Sequence, residues 1–283
     1  MTATTVPAVD GTGTGAATAP WRRDVTPSVL ARRNPTVKLV LLTVVSAAVL
    51  LVLDPVTPLV LYALALVGVA AAARVPARTL LVAHGPLLAF AGGVLVVNAV
   101  SRPGPVVWSG PGLEVTAPGL SVGTALAARS LLIGVLALGF VRSTDGPTLL
   151  ASLQADARLP ARPAHALLAG YRLLEEMPRT WAQVRHAHAV RAPRRRGGRP
   201  ALGVRAHGRM VFGLLVSSLR TGERLAATLE QRGLGLGPRT VWRPVRRDRG
   251  DVVLALVVLG TLAAVLLVSA RLGLLAGPGA LTG

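Results

Sequence analysis

The chain has 283 residues, of which 52% are hydrophobic and only 15% are charged, and its mean hydropathy of +0.56 is far above that of a soluble domain. Its 31 basic residues outnumber 12 acidic ones and give a net charge of +19, and Lys38 is the only lysine. This composition excludes a disordered chain, a coiled coil and an ordinary cytosolic enzyme, and the lack of cysteine excludes disulfides and thiolate metal sites. The sequence therefore predicts an integral membrane protein.

The apolar runs of the chain predict its membrane spans. Residues 1–33 are rich in Thr, Ala, Gly and Pro and then basic, which predicts a disordered tail rather than a signal peptide. Residues 34–142 hold four apolar runs, and residues 251–283 hold a fifth run and a short tail. Each run is near the roughly 20 residues that a helical span requires. The five runs cover 37–53, 57–73, 79–100, 120–141 and 252–270. We predict an all-α membrane protein with about five transmembrane helices.

The arginines of the short loops predict the orientation of these spans. The N-terminal flank is basic and the turn at 74–78 holds two arginines, whereas the turn at 54–58 holds none and the loop at 101–119 holds only Arg102. Because basic short loops stay on the cytoplasmic side, we expect a cytoplasmic N-terminus and an external C-terminus. The chain is then a multi-pass protein of the plasma membrane, and its segment 143–250 is cytoplasmic.

Few polar residues fall within the predicted spans. Ionisable residues are few there and include His84 and Arg129, and no carboxylate lies at membrane depth as a proton- or sodium-coupled carrier would require. We interpret Arg129 as part of a polar helix contact or as reaching toward the membrane surface, with a role in a pore or gate as the less favoured alternative. Asn98 and the pair Gly92-Gly93 are interpreted as sites of close helix packing.

The segment 143–250 is strongly basic and begins with two predicted helices. Together with Arg142 it holds 21 arginines and seven acidic residues. Ser143-Thr144-Asp145 before Gly146-Pro147 indicates a short helix. A long helix is predicted from about Pro163 to Arg191, with a kink at Pro178. Its apolar face consists of Leu167, Leu174, Met177, Trp181 and Val184.

A third amphipathic helix is predicted from about Val204 to Arg232, where Gly233 supplies a C-cap. Its apolar face consists of Val211, Leu215, Ser218, Leu225 and Leu229. Each of the two long apolar faces leads to an arginine at the end of its helix, Arg191 or Arg232. The helix macrodipole alone could account for an arginine at one helix end. Because an arginine ends both helices, we favour a role for these arginines in docking a partner.

Five short motifs, in chain order, resemble those of a known family. They are Asn34-Pro35-Thr36-Val37-Lys38-Leu39, Ser143-Thr144-Asp145, Tyr171-Arg172, Ala187-His188-Ala189-Val190-Arg191-Ala192 and Glu230-Gln231-Arg232-Gly233-Leu234. With them the chain resembles the transmembrane T component of energy-coupling factor (ECF) transporters, the family that includes the cobalt/nickel-type transmembrane subunit. The resemblance covers roughly Arg32 to Arg239.

In that family each short Ala-Arg-Gly motif ends a coupling helix, and its arginine docks on one of two ATPase subunits. The resemblance therefore implies ATPase-partner binding by Arg191 and Ala192 in the first motif, and by Glu230, Arg232 and Gly233 in the second. The chain departs from the family pattern at three small positions, Val190, Ala192 and Gln231.

The function implied by the resemblance is that of a non-enzymatic coupling subunit of an ABC-type importer for a vitamin or a transition-metal ion. Its implied partners are two ABC-type ATPase subunits, a substrate-binding membrane component and the lipid bilayer. The chain lacks the phosphate-binding loop G-x-x-x-x-G-K-[ST], so we expect ATP and magnesium in the partner ATPases and no cofactor or catalytic residue here. His186 and His188 face different sides of a helix, so no metal site is expected either.

Two other classes of function remain as alternatives. One is a membrane enzyme of unknown type, which would require paired His, Asp or Glu side chains within the membrane. The other is a membrane-anchored basic protein that binds nucleic acid or lipid. Because no aromatic residue interleaves with the Arg194–Arg199 run, stacking platforms are missing and we expect no nucleic-acid partner. That run favours anionic lipid headgroups instead.

Overall fold

The computed structural model describes residues 28–52, 54–74, 76–110, 113–157, 159–192, 203–234 and 247–274. Most of these residues are helical. The elements are α1 (Pro35–Leu50), α2 (Val56–Ala73), α3 (Ala77–Ser101), β1 (Val106–Gly110), β2 (Leu113–Thr116), α4 (Ala117–Ser143), α5 (Gly146–Asp156), α6 (Ala161–Arg191), α7 (Val204–Gln231) and α8 (Arg249–Arg271). The predicted all-α membrane fold is confirmed. The loop predicted at 101–119 contains a small antiparallel hairpin, β1–β2.

Within the described residues, four helices are long and apolar enough to cross a membrane, namely α2, α3, α4 and α8. The remaining predicted span, α1, has 16 residues. At 1.5 Å per residue it extends about 24 Å, less than the roughly 30 Å of a hydrocarbon core. The helix cannot continue far beyond Leu50 because Asp54 precedes Pro55, and a residue before proline is disfavoured in the helical conformation.

Helix α4 lies at the centre of the membrane region, in contact with α1, α2 and α3. Its Leu132 and Val135 are at most 1% exposed. Leu132 belongs to one apolar core with residues of α1, α2 and α8, and Val135 belongs to a second core with residues of α2. The membrane region is therefore organised around α4, and the other helices present their outer faces to the bilayer.

Close packing between α3 and α4 depends on glycines of α4. A Cβ atom at Gly123 would lie 2.9 Å from the carbonyl oxygen of Leu95, which leaves no room for a side chain. The predicted packing role of Gly92-Gly93 is wrong, because a Cβ atom at either position would meet nothing within 4 Å. The small residue that lets the two helices approach is Gly123 of α4, which faces α3.

Arg129 and His84, two ionisable side chains of the spans, each lie within hydrogen-bond distance of a backbone carbonyl oxygen. Arg129 is buried, and its guanidinium donates a 2.8 Å hydrogen bond to the carbonyl oxygen of Val52, just after α1. Carbonyl groups at a helix end lack intrahelical partners, so Arg129 satisfies one of them at membrane depth. This agrees with the interpretation of Arg129 as part of a polar helix contact. The Nδ1 atom of His84 lies 2.6 Å from the carbonyl oxygen of Leu80, and its ring is tilted against Tyr62.

The hydrogen bonds of Lys38 show which helix ends lie on the same side of the membrane region. Its ammonium group is buried and donates to the carbonyl oxygen of Ser143 at 2.8 Å, to the Ser143 hydroxyl at 3.2 Å and to the carbonyl oxygen of Leu30 at 3.1 Å. Three acceptors match the three protons of an ammonium group. The start of α1 and the end of α4 therefore lie together, on the side from which α5, α6 and α7 emerge. The β1–β2 hairpin lies on the opposite side.

Candidate partner-binding site

Helices α6 and α7 form a helical hairpin beside the membrane region. α6 has 31 residues and continues through Pro178, and α7 has 28 residues. The last third of α7 packs beside the first half of α6, and the cleft between them is lined largely by small or apolar side chains.

The two predicted docking arginines lie at opposite ends of this hairpin. Arg191 is the exposed last residue of α6, and Arg232 is the exposed C-cap residue of α7. Glu230, two residues before Arg232, shares the cleft with α6 residues from Arg162 onward. Arg191 is 18–29 residues farther along α6 than the α6 residues that line this cleft, a distance of roughly 30–45 Å. The structure therefore presents two separate cationic points instead of one shared site.

The second motif ends α7 with a left-handed glycine turn. Gly233 has a φ of 73°, its N–H donates to the carbonyl oxygen of Glu230 at 2.8 Å, and the N–H of Leu234 donates to the carbonyl oxygen of Leu229 at 3.0 Å. These two bonds define a Schellman motif, in which a residue without a Cβ atom is strongly preferred at the left-handed position. Gly233 thereby holds Arg232 at the last turn of the helix.

The first motif ends differently. Ala192, where the family pattern has glycine, is extended, with φ −78° and ψ 143°, and its N–H donates a 3.4 Å bond to the carbonyl oxygen of Ala189. No left-handed residue therefore closes α6 within the described residues. Arg191 still lies at the negative end of the helix macrodipole, which favours its charge. The departure at Ala192 thus changes the path of the chain and leaves the cation in place.

A substitution at Gly233 tests the role of the glycine turn. Gly233→Ala should loosen the end of α7, because a left-handed conformation costs a residue with a Cβ atom about 1–2 kcal/mol. We expect roughly 5- to 30-fold faster hydrogen exchange at the amides of residues 232–234, measured by mass spectrometry on the full chain. Gly208→Ala, inside the same helix where a Cβ atom meets nothing within 4 Å, should leave these amides unchanged. Equal exchange in both variants would contradict the turn's stabilising role.

Much of the predicted apolar face of α7 is exposed. Val211 and Leu215 are each more than half exposed, as are the neighbouring Phe212 and Leu219. Leu167 and Leu174 of α6 are also more than half exposed. A helix of a soluble protein normally buries such a stripe against its own core. The hairpin therefore offers a broad apolar surface on the described part of the chain, as a docking surface for another protein would require.

A polar network that the sequence did not reveal ties α5, the helix before the α6–α7 hairpin, to the membrane helices. The side-chain amide of Asn34 donates to Asp156 at the end of α5 at 2.8 Å, and Arg247 donates to the other oxygen of Asp156 at 2.9 Å. The backbone N–H of Asn34 donates to Asp251 of α8 at 2.8 Å. A further bond, 2.8 Å long, joins the hydroxyls of Thr36 and Ser152 of α5. Three helices, α1, α5 and α8, are thus held at one junction.

One signal could have revealed this network. Asp156 is an acidic residue at the C-terminus of a helix, where the macrodipole disfavours negative charge. Such a residue requires compensating donors, which Asn34 and Arg247 supply. A second signal is Gly146, at the start of α5, where a Cβ atom would overlap the ring of Tyr171. This close approach packs α5 against α6.

Four helices long and apolar enough to cross a membrane, joined to a long helical hairpin on one side, define a multi-pass membrane protein. The chain belongs to the CbiQ family of cobalt transport proteins, whose sequence model matches residues 27–240. The match includes α1 to α7 and both arginine motifs, and it confirms the family inferred from those motifs. No curated protein matches the chain.

Proposed function

We propose that the chain is the coupling subunit of an ECF-type ABC importer. It transmits the ATP-driven motion of two ATPase subunits to a substrate-binding membrane component, for uptake of a transition-metal ion such as cobalt or of a vitamin. The observation that carries the proposal is the placement of Arg191 and Arg232 at two exposed helix ends, roughly 30–45 Å apart. Two docking points at this separation suit two separate ATPase subunits.

The chemistry of the docking points supports this proposal. A guanidinium group presents five donors in a rigid fork, which matches carboxylate and carbonyl groups on a partner surface. Glu230 and Gly233 contribute by shaping the helix end that carries Arg232, and Ala192 follows Arg191 where the chain leaves α6. We assign ATP hydrolysis to the partner subunits, since the chain has no phosphate-binding loop.

The transmission path in this proposal begins at the hairpin and ends at the membrane helices. Force applied at the hairpin ends reaches α5 through its packing on α6, and then α1 and α8 through Asn34, Asp156 and Asp251. The exposed apolar face of α7 around Val211 and Leu215 is the docking surface that we assign to the substrate-binding membrane component. A partner with an apolar surface of its own buries both faces on binding.

Assembly and hydrolysis can be measured with purified proteins. The detergent-purified chain should copurify with its two ATPase subunits, and it should hydrolyse no ATP alone. The matched control is the same complex with an ATPase subunit whose phosphate-binding lysine is replaced, which should assemble but not hydrolyse ATP. Hydrolysis that persists after every ATPase subunit is removed would contradict the proposal.

Orientation in the membrane is the second expectation that the proposal makes. The chain has no cysteine, so single cysteines can be placed without altering any native one. Ser109→Cys, on the exposed hairpin strand, should react with an impermeant reagent on intact cells, and Ala187→Cys, exposed on α6, should react only after permeabilisation. The physical reason is the excess of arginine on the side of α6. Labelling of position 187 in intact cells would refute a cytoplasmic location of helices α6 and α7.

A further inference from the structure

A groove opens between α2 and α8, with α1 and α4 as its floor. It holds about 290 Å³ and is lined by apolar side chains apart from Lys38 and Thr261. The polar atoms of these two residues are already engaged, since the Thr261 hydroxyl donates to the carbonyl oxygen of Val257 at 2.7 Å and the Lys38 ammonium has its three acceptors. The interior of the groove therefore presents hydrocarbon and takes a hydrocarbon ligand.

The groove runs from a junction of α2 and α8 toward the start of α1. α2 and α8 meet where the hydroxyl of Thr57 donates to the hydroxyl of Ser269 at 2.6 Å, and the buried Leu61 and Leu262 share one core just inside this junction. Lining residues extend from there to Ala72, at the end of the groove that lies beside the start of α1. A slot of about 290 Å³ admits one flexible chain, whereas a helix with its side chains is about 10 Å wide along its whole length.

Two arginines, Arg32 and Arg74, lie near the end of the groove that is beside the start of α1. The N–H of Leu30 donates to the carbonyl oxygen of Ala72 at 3.2 Å, which places the turn before α1 over the end of α2. Arg32 and Arg74 are exposed, and each follows one of these groove residues by two positions, at most about 8 Å along the chain. Among the described residues no acidic side chain forms a salt bridge with either arginine, whereas the adjacent Arg33 is paired with Asp248.

We propose that this groove binds one anionic phospholipid, with an acyl chain between α2 and α8 and its phosphate at Arg32 and Arg74. The two features together select the ligand: a hydrocarbon slot favours a lipid tail, and two exposed guanidinium groups near its end, without a salt bridge among the described residues, favour a negative headgroup. The bound lipid joins the start of α1, the end of α2 and the outer face of α8. The proposal does not depend on the identity of the ATPase partners.

The first test fills the groove. Native mass spectrometry of the full chain in detergent, with phosphatidylglycerol or with phosphatidylcholine of the same acyl chains, should show one tightly bound phosphatidylglycerol. Gly68→Leu should remove it, because a Cβ atom at Gly68 meets nothing within 4 Å and the leucine can occupy the groove without displacing the backbone. Gly260→Leu is the matched control, at an exposed position of α8 outside the groove where a Cβ atom also meets nothing. Unchanged binding in Gly68→Leu, or equal loss in Gly260→Leu, would overturn the proposal.

The second test removes the headgroup contacts. The double variant Arg32→Gln with Arg74→Gln should lose a preference for phosphatidylglycerol of roughly 30-fold and retain binding at the level of phosphatidylcholine. Arg271→Gln, an exposed arginine at the other end of α8, should keep the preference. Equal binding of the two lipids by the unaltered chain would refute the headgroup site. Displacement of phosphatidylglycerol by excess inorganic phosphate would identify a phosphate site and refute the lipid site.

Discussion

Arg232→Glu is expected to abolish association with the ATPase subunits while the protein still inserts in the membrane. Arg232 is exposed at the end of α7, and the turn at Gly233 holds it there. Loss of a buried charge pair at an interface typically costs roughly 2–5 kcal/mol, and reversal of the charge adds repulsion. The affinity for the ATPase partner should therefore fall by roughly 30- to 5,000-fold. Insertion is unaffected because the substitution lies outside the predicted spans.

The matched control is Arg220→Glu, on the same helix. Arg220 is exposed and lies nine residues from Val211, which places it on the face opposite the apolar stripe. An exposed charge of this kind contributes about 1 kcal/mol or less. The measurements are ATPase pull-down and substrate uptake at matched levels of protein in the membrane. If Arg220→Glu is as damaging as Arg232→Glu, the effect is one of bulk charge and Arg232 is not a docking residue.

Arg191→Glu should impair association in the same assay, but less severely. Arg191 also lies at the end of a long helix, so its loss removes the second docking point. Ala192 after it is extended, and no left-handed residue closes α6 as far as the structure describes the chain there, so we expect the guanidinium to be held less firmly than that of Arg232. An Arg191→Glu complex with unaltered affinity would restrict docking to the end of α7.

The hairpin helices could be predicted closely from the sequence because their signals are local. The long helix predicted from Pro163 to Arg191 spans Ala161–Arg191, and the next begins at Val204 as predicted and ends at Gln231 with Arg232 as its cap. Apolar periodicity and the glycine stop act within a few residues of one another. The β1–β2 hairpin also had a local signal, since Val106-Val107-Trp108 and Leu113-Glu114-Val115 flank Pro111-Gly112.

The rest depended on contacts between distant parts of the chain. Hydropathy located α1 but not its length, because its end is settled by the turn before Pro55 and by the bond from Arg129 to Val52. The polar junction joins Asn34 to Asp156 and Asp251, more than 100 residues away in each case. No periodicity pairs such residues. The apolar faces of the two long helices pointed to Arg191 and Arg232, but the ATPase subunits as their partners came only from the family resemblance, since a cation at a helix end is common for electrostatic reasons alone.

Asp156→Ala is expected to uncouple ATP hydrolysis from uptake, if the chain is the proposed coupling subunit. Asp156 accepts hydrogen bonds from Asn34 of the α1 cap and from Arg247 before α8, at 2.8 and 2.9 Å. Hydrogen bonds to a charged group contribute about 1.5–3 kcal/mol each, so their loss should weaken the attachment of α5, which keeps its bond from Thr36 to Ser152 but loses the link toward α8 through Arg247. The docking arginines are unaltered, so the ATPase subunits should still bind and hydrolyse ATP, while uptake should fall to the background level.

Two further variants separate transmission from general destabilisation. Asp145→Ala, at the other end of α5, removes an exposed carboxylate whose side-chain bond is a 3.3 Å contact from Thr148 in its own turn, and it should support nearly normal uptake. Asp156→Asn retains one carbonyl oxygen and should give intermediate uptake, since either Asn34 or Arg247 can still donate to it. Loss of ATPase binding in Asp156→Ala would mean that the junction maintains the hairpin itself. Normal uptake in that variant would show that force reaches α1 and α8 by another route, because no other residue of α5 accepts hydrogen bonds from both helix starts in the described part of the chain.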